Sequence, residues 1–223
     1  MRLSIIILTL NEAQNLKPLF ERLEATPGIH EVIVADGGST DVTQQLAVRQ
    51  ACLTVSEPGR GLQLRVGSRE ATGDVLFFLH ADVLPPPDVA AQIERAINAG
   101  YIGGNFRLHY PDGGLLGRWL EFLAPIYRRL GRYYGDSGFF VRRDAYEAFG
   151  GFPAIPIMED IEFVRRLEQF GETAYLPGPI TSSARRWEGR ALRTLLLWGG
   201  MQTAYALGVS PWKLDRFYRS TRR

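Results

Sequence analysis

The sequence predicts an α/β protein with a mostly parallel central sheet flanked by helices. Residues 5–8, in a predicted strand over residues 4–8, and residues 75–79 are short, unbroken apolar runs, which are typical of strands buried on both faces of a parallel sheet. Segments with a helical spacing of apolar residues separate such runs through the first hundred residues. This alternation predicts βαβ units, because parallel strands need a crossover connection between them.

In the first half of the chain, each predicted strand leads into a polar turn and a helix. Asn11 is expected to cap the first helix, since Asn favours that position, and Gly59-Arg60-Gly61 is expected to open the third. The predicted strands cover residues 4–8, 31–35, 51–55, 75–79 and 103–108, and the predicted helices cover residues 12–26, 42–48, 60–71 and 89–99.

In the second half, helices predominate, so we predict a helical C-terminal end. Residues 115–130 form a helix whose apolar stripe is Leu116, Leu120, Leu123, Tyr127 and Leu130. Further helices are predicted from residue 158 and over residues 192–207, and short strands over residues 139–141 and 174–176. The sequence contains no recognisable linker or internal repeat, so residues 1–223 are predicted to form one domain.

The composition excludes some classes of protein. Of 223 residues 45% are hydrophobic, and the net charge of +2 is too small to predict nucleic-acid binding. The single cysteine, Cys52, excludes an internal disulfide, suits a reducing compartment and is expected in the core. No uncharged apolar run approaches the about 18 residues of a membrane span. We therefore expect a cytoplasmic protein, at most peripheral at the membrane.

Two carboxylates follow predicted strands. Asp36 ends the second strand and Asp82 follows the fourth, and ligands of open α/β sheets bind beyond the carboxyl ends of the strands. His80 and Asp82, two residues apart in an extended segment, are expected to face one ligand. The alternative is that Asp82 only turns the chain before three prolines at 85–87.

A third acidic position lies at a predicted helix start, Glu159-Asp160. Such a pair is most often a cap, stabilised by the helix dipole by about 0.3–1 kcal/mol. The same position keeps a carboxylate ionised and therefore competent as a base. No G-x-G-x-x-G follows the first strand and no phosphate-binding G-x-x-x-x-G-K-[ST] loop exists.

The ordered set of segments resembles the family 2 glycosyltransferases of the GT-A fold, over residues 4 to about 187. The matching segments are Thr9-Leu10-Asn11-Glu12, Val34-Ala35-Asp36-Gly37-Gly38-Ser39-Thr40-Asp41, Leu79-His80-Ala81-Asp82, Glu159-Asp160 and Ser183-Ala184-Arg185-Arg186-Trp187. Gly59-Arg60-Gly61-Leu62-Gln63, L-H-A-D and P-I-M-E-D resemble a small bacterial subfamily. The resemblance implies a Rossmann-like nucleotide-sugar half, residues 1–110, and an acceptor and catalytic half, residues 111–223.

The resemblance also implies a role for each matching residue. The donor nucleotide would be bound by Thr9, Asn11, Glu12, Asp36, Arg60, Gln63, Ala81, Arg185, Arg186 and Trp187. Asp82 occupies the second position of the family's D-x-D metal motif, which implies Mg²⁺ or Mn²⁺. His80 replaces its first carboxylate, and Ser137 stands where the subfamily often has Gln. Whether His80 ligates the metal stays open.

The implied reaction is an inverting, metal-dependent transfer of a sugar from a nucleotide-diphosphate donor to an acceptor hydroxyl. Asp160 would be the general base, with Glu159 as the second candidate. Two alternatives remain, a catalytically impaired member that binds a nucleotide or a glycolipid, and a sugar-phosphate nucleotidyltransferase.

The acceptor is expected to be lipid-like. Residues 115–132 combine aromatic residues with arginines that include Arg128 and Arg129, as helices at membrane interfaces do. We therefore expect peripheral contact with a membrane through these arginines. The alternative is that this helix and the one at residues 192–207 pack on the core or on a second copy in a homodimer.

Overall fold

The computed structural model describes residues 1–183 and 191–221. Its strands are β1 Leu3–Thr9, β2 Ile29–Asp36, β3 Cys52–Val55, β4 Val75–His80, β5 Val83–Leu84, β6 Gly103–His109, β7 Phe139–Arg142 and β8 Thr173–Ser182. Its helices are α1 Ala13–Glu24, α2 Thr43–Ala47, α3 Arg60–Glu70, α4 Val89–Asn98, α5 Gly114–Arg129, α6 Arg143–Ala148, α7 Glu159–Phe170, α8 Ala191–Ala206 and α9 Pro211–Thr221. A short 3₁₀ turn covers Gly135–Ser137.

Within these residues the strands form one eight-stranded sheet in the order β3-β2-β1-β4-β7-β6-β8-β5. The pairs β3–β2, β2–β1, β1–β4 and β6–β8 are parallel, whereas β7 and β5 pair antiparallel with their neighbours. The prediction of an α/β fold with a mostly parallel sheet is confirmed.

Both faces of the sheet are covered, which explains the unbroken apolar runs. Along β4, Val75, Phe77 and Leu79 pack with α1 and α4, whereas Leu76 and Phe78 pack with α3, α6 and α7. Every second side chain points to the opposite face, so a strand that is covered twice needs an apolar residue at each position. The ring of Phe78 lies against those of Tyr146, Phe152 and Phe163 on the second face.

Several local expectations were wrong. Cys52 is exposed rather than in the core, because β3 is the edge strand and its pattern leaves both end residues outward. The last long strand, β8, runs to Ser182 instead of ending at residue 176. Its Pro-Gly-Pro segment is accommodated by a register shift against β6 between Phe106 and Leu108, and bulges are where strands tolerate proline. The elements β5, α6 and α9 were not predicted.

Helix α5 is apolar on two faces, and the predicted stripe is only in part the inner one, because Tyr127 and Leu130 are exposed. Leu116 and Leu120 pack against Tyr110, which follows β6, and Trp198 of α8 packs against the same residue. A second set of apolar side chains points outward; it comprises Leu115, Trp119, Phe122, Ile126 and Leu130. No helix in the described part of the chain is both long and apolar enough to cross a membrane.

Arg128, expected to contact lipid, instead lies inside the protein. Its side chain is 11% exposed and donates hydrogen bonds to Asn105 Oδ1 at 2.7 Å, Glu168 Oε1 at 2.8 Å and Thr173 Oγ1 at 2.6 Å. The guanidinium also lies 4.0 Å from the centre of the Tyr133 ring. That expectation was therefore wrong for Arg128, which fastens α5 to the sheet and to α7, whereas the adjacent Arg129 is exposed.

Removing the Arg128 side chain should therefore destabilise the fold. In Arg128→Ala the Glu168 carboxylate and the Asn105 carbonyl lose their donor, so we expect a loss of about 2–4 kcal/mol in the free energy of unfolding. Urea unfolding of this variant and of Arg129→Ala, the matched exposed control, measures the difference. Equal stability of the two variants would contradict the structural role of Arg128.

Candidate active site

The ends of β1, β2 and β4 bring the predicted polar residues to one edge of the sheet. Thr9 is paired in register with Asp36, and Leu8 with His80. Asp82 follows in the two-residue turn between β4 and β5. The sequence-based expectation that the two carboxylates share one edge therefore agrees with the register.

Asp36 is the hub of the turn that follows β2. Its carboxylate is fully buried and accepts hydrogen bonds from Gly38 N at 3.0 Å, Ser39 N at 2.7 Å, Thr9 Oγ1 at 2.8 Å and Gln44 Nε2 at 2.7 Å, and from the Ser39 hydroxyl. Burial raises the pKa of Asp36, but the hydrogen bonds from Ser39, Thr9 and Gln44 outweigh it and lower that pKa overall. Asp36 is thus an ionised carboxylate that organises its own turn.

The turn after β1 is locked to the turn after β2. Asn11 has a left-handed backbone with φ of 57°, which Asn tolerates, and its Oδ1 accepts hydrogen bonds from Thr40 N at 2.8 Å and Asp41 N at 3.3 Å. The expectation that Asn11 caps α1 was wrong, because its side chain serves this second turn and Glu12 holds the cap position. Glu12 N in turn donates to Thr43 Oγ1 at 2.9 Å.

Gln63, in the first turn of α3, joins that helix to the sheet edge. Its Nε2 donates to Thr9 O at 2.7 Å and to Ala35 O at 2.9 Å, and its Oε1 accepts from Gly59 N at 3.3 Å. The side chain is 2% exposed, so both the amide nitrogen and the amide oxygen form their hydrogen bonds inside the protein. Gln63 thus holds the ends of β1 and β2 beside α3.

An ion pair joins the same turn of α3 to the start of α7. Arg60 Nε lies 2.7 Å from Glu159 Oε1, and Nη2 lies 3.3 Å from Oε2. Gly61 permits this approach, since a β-carbon built on it would lie 2.2 Å from Pro153 O. The Arg60 side chain is 36% exposed and that of Glu159 is 2% exposed, so the pair leads from the protein surface into the core.

Glu159 is a poor candidate for a base. Burial raises the pKa of its carboxyl to about 7, against the opposing effect of Arg60, and the neighbouring Asp160 adds to the rise. Because the Glu159 side chain is buried and its carboxyl oxygens are paired with Arg60, Glu159 is less available to an acceptor than Asp160.

Asp160 is half-buried in the first turn of α7, and its Oδ1 accepts a hydrogen bond from Ile161 N at 2.8 Å. The helix dipole favours a negative charge at this end. Met158, which precedes the pair, has a left-handed φ of 66°, a conformation that is rare for a residue with a long side chain. Met158 packs with Ile157, Met201 and Leu214 from α8 and α9, and these contacts hold the strained turn in place.

His80 and Asp82 are both half-buried around the buried Ala81. His80 lies against the 3₁₀ turn, where a β-carbon built on Gly135 would be 2.7 Å from His80 Nε2. Across the described residues no group of three or more His, Cys, Asp or Glu side chains is arranged to hold a metal ion. One carboxylate still fits Mg²⁺ or Mn²⁺ when substrate phosphates and water complete the ligand set.

The neighbour of this turn is the end of β8. Val83 pairs with Ser182, and Ser183 Oγ donates to Asp112 Oδ2 at 2.9 Å just before α5. The donor-binding residues expected at Arg185, Arg186 and Trp187 lie outside the described residues.

Sequence reasoning missed several residues that shape the site. Ser39 and Gln44 supply hydrogen bonds to Asp36, and Tyr110 OH donates to Asp136 Oδ2 at 2.8 Å beside the 3₁₀ turn. The V-A-D-G-G-S-T-D segment contained the signal for Ser39, because Ser near an aspartate favours such turns. Nothing in the sequence indicates the pairing of Tyr110 with Asp136 or the left-handed Met158.

The sequence matches a family model, "Glycosyl transferase family 2", over residues 4–150. It is 34% identical over 142 residues to a dolichol-phosphate mannosyltransferase of Pyrococcus furiosus, covering 58% of this chain and 38% of the relative. It is 27% identical over 158 residues to an undecaprenyl-phosphate 4-deoxy-4-formamido-L-arabinose transferase of Yersinia enterocolitica, covering 63% of this chain and 48% of the relative. The chain thus spans less than half the length of these two relatives.

The fold is similar to that of a mannosyltransferase from Pyrobaculum calidifontis, solved in complex with GDP-Man and Mn²⁺. The TM-score is 0.62 at 20% identity, covering 95% of this chain and 67% of that one. This likeness confirms the GT-A fold expected from the sequence.

The raised pKa of Glu159 predicts a pH dependence of stability. The folded protein holds this proton more tightly than the unfolded chain, so its contribution is complete below pH 4.5 and is lost as the pH rises through about 7. We expect Glu159→Gln to lack this loss. Urea unfolding of both proteins across this range measures the difference in stability, which should shift in favour of the variant as the pH rises.

Glu162 on the same helix is the matched control. Burial raises the pKa of Glu162, but its hydrogen bonds with Arg165 and Arg166 outweigh this effect and lower that pKa. Its contribution is therefore lost as the pH falls, and Glu162→Gln should show the opposite sign at acid pH. A pH-independent difference for Glu159→Gln would contradict the raised pKa.

Proposed function

The chain belongs to glycosyl transferase family 2, and on this basis we propose that it is an inverting, metal-dependent glycosyltransferase. It transfers a sugar from a nucleotide-diphosphate donor to an acceptor hydroxyl. The observation that carries the proposal is the double attachment of the first turn of α3, through Gln63 to the ends of β1 and β2 and through Arg60 to Glu159. The sheet edge proposed to bind the nucleotide and the start of α7, which carries the candidate base, are thereby fixed relative to each other.

On the donor side, the paired turns after β1 and β2 form the nucleoside site. Asn11 and Glu12 line the side of this site that faces the ligand. The buried residues Thr9, Asp36 and Gln63 hold the backbone of the two turns in position. Arg60 turns its exposed part to the donor diphosphate. By family resemblance, the donor site further includes Ala81, Arg185, Arg186 and Trp187.

A divalent ion is part of the proposal, and the chemistry of the donor set supports it. Asp82 provides the carboxylate, and His80 lies two residues away in the same turn. The Mn²⁺ bound by the Pyrobaculum mannosyltransferase supports a metal of this kind. When bound, Mg²⁺ or Mn²⁺ supplies positive charge that makes the diphosphate a better leaving group.

In the chemical step, Asp160 accepts the proton of the acceptor hydroxyl while that oxygen forms a bond to the anomeric carbon. The bond from this carbon to the diphosphate breaks on the opposite side, so the configuration inverts. Asp160 takes this role rather than Glu159, because the Glu159 carboxyl is buried and paired with Arg60, whereas Asp160 is half-buried.

The acceptor in this proposal is lipid-like and is met at the cytoplasmic face of a membrane. Two relatives carry names that specify dolichol phosphate and undecaprenyl phosphate. These names support a lipid acceptor, and in this proposal its reacting hydroxyl lies at the polar end of the lipid, in the headgroup layer that a peripheral enzyme reaches.

One observation favours a second candidate function, a family member that binds the donor without turnover. His80 replaces the first carboxylate of the metal motif, so Asp82 is left as its sole acid. A member of this kind would bind nucleotide and leave the sugar bond intact. The family match does not support the alternative of a sugar-phosphate nucleotidyltransferase.

The role of Asp160 can be tested by Asp160→Asn. The amide keeps the shape of the side chain but cannot accept the proton, so turnover should fall by roughly 10²–10⁴ while donor binding survives. Asp144→Asn, an exposed surface control, should keep full turnover. Turnover of each nucleotide sugar in turn, measured with a lipid acceptor present, decides between the two candidates, since an inactive wild type that binds donor supports the non-catalytic one.

The role of Asp82 can be tested by nucleotide binding. Wild-type protein should bind a nucleoside diphosphate more tightly with Mg²⁺ or Mn²⁺, and Asp82→Ala should lose this enhancement. Asp88→Ala, which removes an exposed carboxylate just beyond the prolines, is the matched control. Calorimetric titrations with and without metal measure the effect, and an enhancement that persists in Asp82→Ala would refute the assignment.

His80 is tested in the same titrations. If its imidazole ligates the metal, His80→Ala should shift the preference from Mn²⁺ towards Mg²⁺, because Mg²⁺ prefers oxygen ligands. An unchanged preference would leave His80 as a residue that packs against the 3₁₀ turn.

A further inference from the structure

The outer face of α5 is an exposed apolar stripe. Its members are Leu115, Trp119, Phe122, Ile126 and Leu130, which are between 49% and 84% exposed. At 3.6 residues per turn these positions fall within about 80° of arc and extend over about 22 Å. Single exposed apolar residues are ordinary, but a continuous stripe that includes a Trp and a Phe marks an interaction surface.

Exposed arginines flank this stripe. Arg118 and Arg129 lie on the same side of it, and Arg132 follows the helix. The sole acid between residues 114 and 132 is Glu121, and its carboxylate is turned to Tyr110 N, at 2.6 Å. The surface therefore presents apolar and cationic groups together, with its carboxylate turned inward.

The stripe begins beside the candidate active site. Asp112, which precedes α5, accepts the hydrogen bond from Ser183 at the end of β8. Phe122 and Arg118 also help to line a groove of about 510 Å³ that continues to Arg107 and Pro179. A partner that covers the stripe would thus lie next to the groove and close to the end of β8.

We propose that the outer face of α5 docks on an anionic lipid bilayer, with the helix lying in the headgroup plane. The apolar stripe enters the upper acyl region, while Arg118, Arg129 and Arg132 bind the headgroup phosphates. Interfacial helices combine an apolar face that carries Trp, Phe or Leu with flanking basic residues in this way. Docking is a property of the protein without its donor, so it extends the proposed function without depending on it.

A second copy of the chain fits this surface less well. A stable dimer interface needs about 20–30 residues on each side, whereas the stripe is a single helix face of five side chains. If two copies packed their α5 stripes against each other, the interface would also have to accommodate the arginines that border each stripe. The acyl region of an anionic bilayer accommodates the apolar stripe, and its headgroups match the positive charge of this face.

The experiment is cosedimentation of the full chain, without nucleotide, with vesicles of phosphatidylcholine alone or mixed equally with phosphatidylglycerol. Wild type should bind the mixed vesicles and lose binding as salt is raised. Arg118→Glu and Arg129→Glu should each weaken binding by at least about fivefold, since an arginine near an anionic surface contributes about that factor. Arg49→Glu, an exposed reversal on the turn after α2, should leave binding unchanged.

The apolar part is tested by the double variant Trp119→Gln with Phe122→Gln, which should weaken binding at least about tenfold. Phe170→Gln, an exposed aromatic at the end of α7, is its control. Absence of binding by wild type, equal loss in the controls, or a wild-type dimer that the double variant dissociates would each overturn the proposal. Donor binding measured on the same samples stays independent of all these outcomes and tests the donor site of the proposed function.

Discussion

The first turn of α3 is the element on which the rest of the site depends. Gln63 binds the last carbonyl groups of β1 and β2, and Arg60 binds Glu159 at the start of α7. These partners are 28 to 99 residues away along the chain. A buried hydrogen bond stabilises by about 0.5–1.5 kcal/mol, but the buried amide N–H groups of Gln63, left without their acceptors, would cost about 1–3 kcal/mol. The position of the turn is therefore strongly determined, and with it the relation between the sheet edge and Asp160.

The turn around Asp36 is also held by buried hydrogen bonds, most of them between residues that are close in the sequence. The carboxylate accepts hydrogen bonds from two backbone amides and three side chains, while the Asn11 side chain closes the neighbouring turn. A buried anion is tolerated only when it is well hydrogen-bonded. The two turns consequently form a preorganised edge, and the polar groups that remain at the surface are those available to a ligand. Preorganisation of this kind reduces the cost of ordering loops on binding.

The C-terminal helices support the catalytic side in a different way. Met201 and Leu214, from α8 and α9, pack on Ile157 and Met158 directly before the acidic pair. Trp198 of α8 packs on Tyr110, as do Leu116 and Leu120 of α5. The left-handed backbone of Met158 costs free energy, and this packing offsets it. Helix α8 thus supports both the turn before the residue proposed as base and the residue on which the helix proposed to meet the bilayer packs.

The sequence alone determined most of the strands, the α/β class and the order of the acidic segments, because these depend on local periodicity and on residue types, but it missed β5 and the second half of β8. Tertiary structure decided which of two adjacent arginines is buried, since Arg128 meets Asn105, Glu168 and Thr173 and Arg129 meets solvent. It also decided that Asn11 serves a distant turn and that Glu159 is occupied by Arg60. An apolar helix with two candidate stripes, such as α5, has no outer face until its neighbours are in place. The physical reason is the same in each case: burial and pairing depend on partners that are remote in sequence and near only in the folded chain.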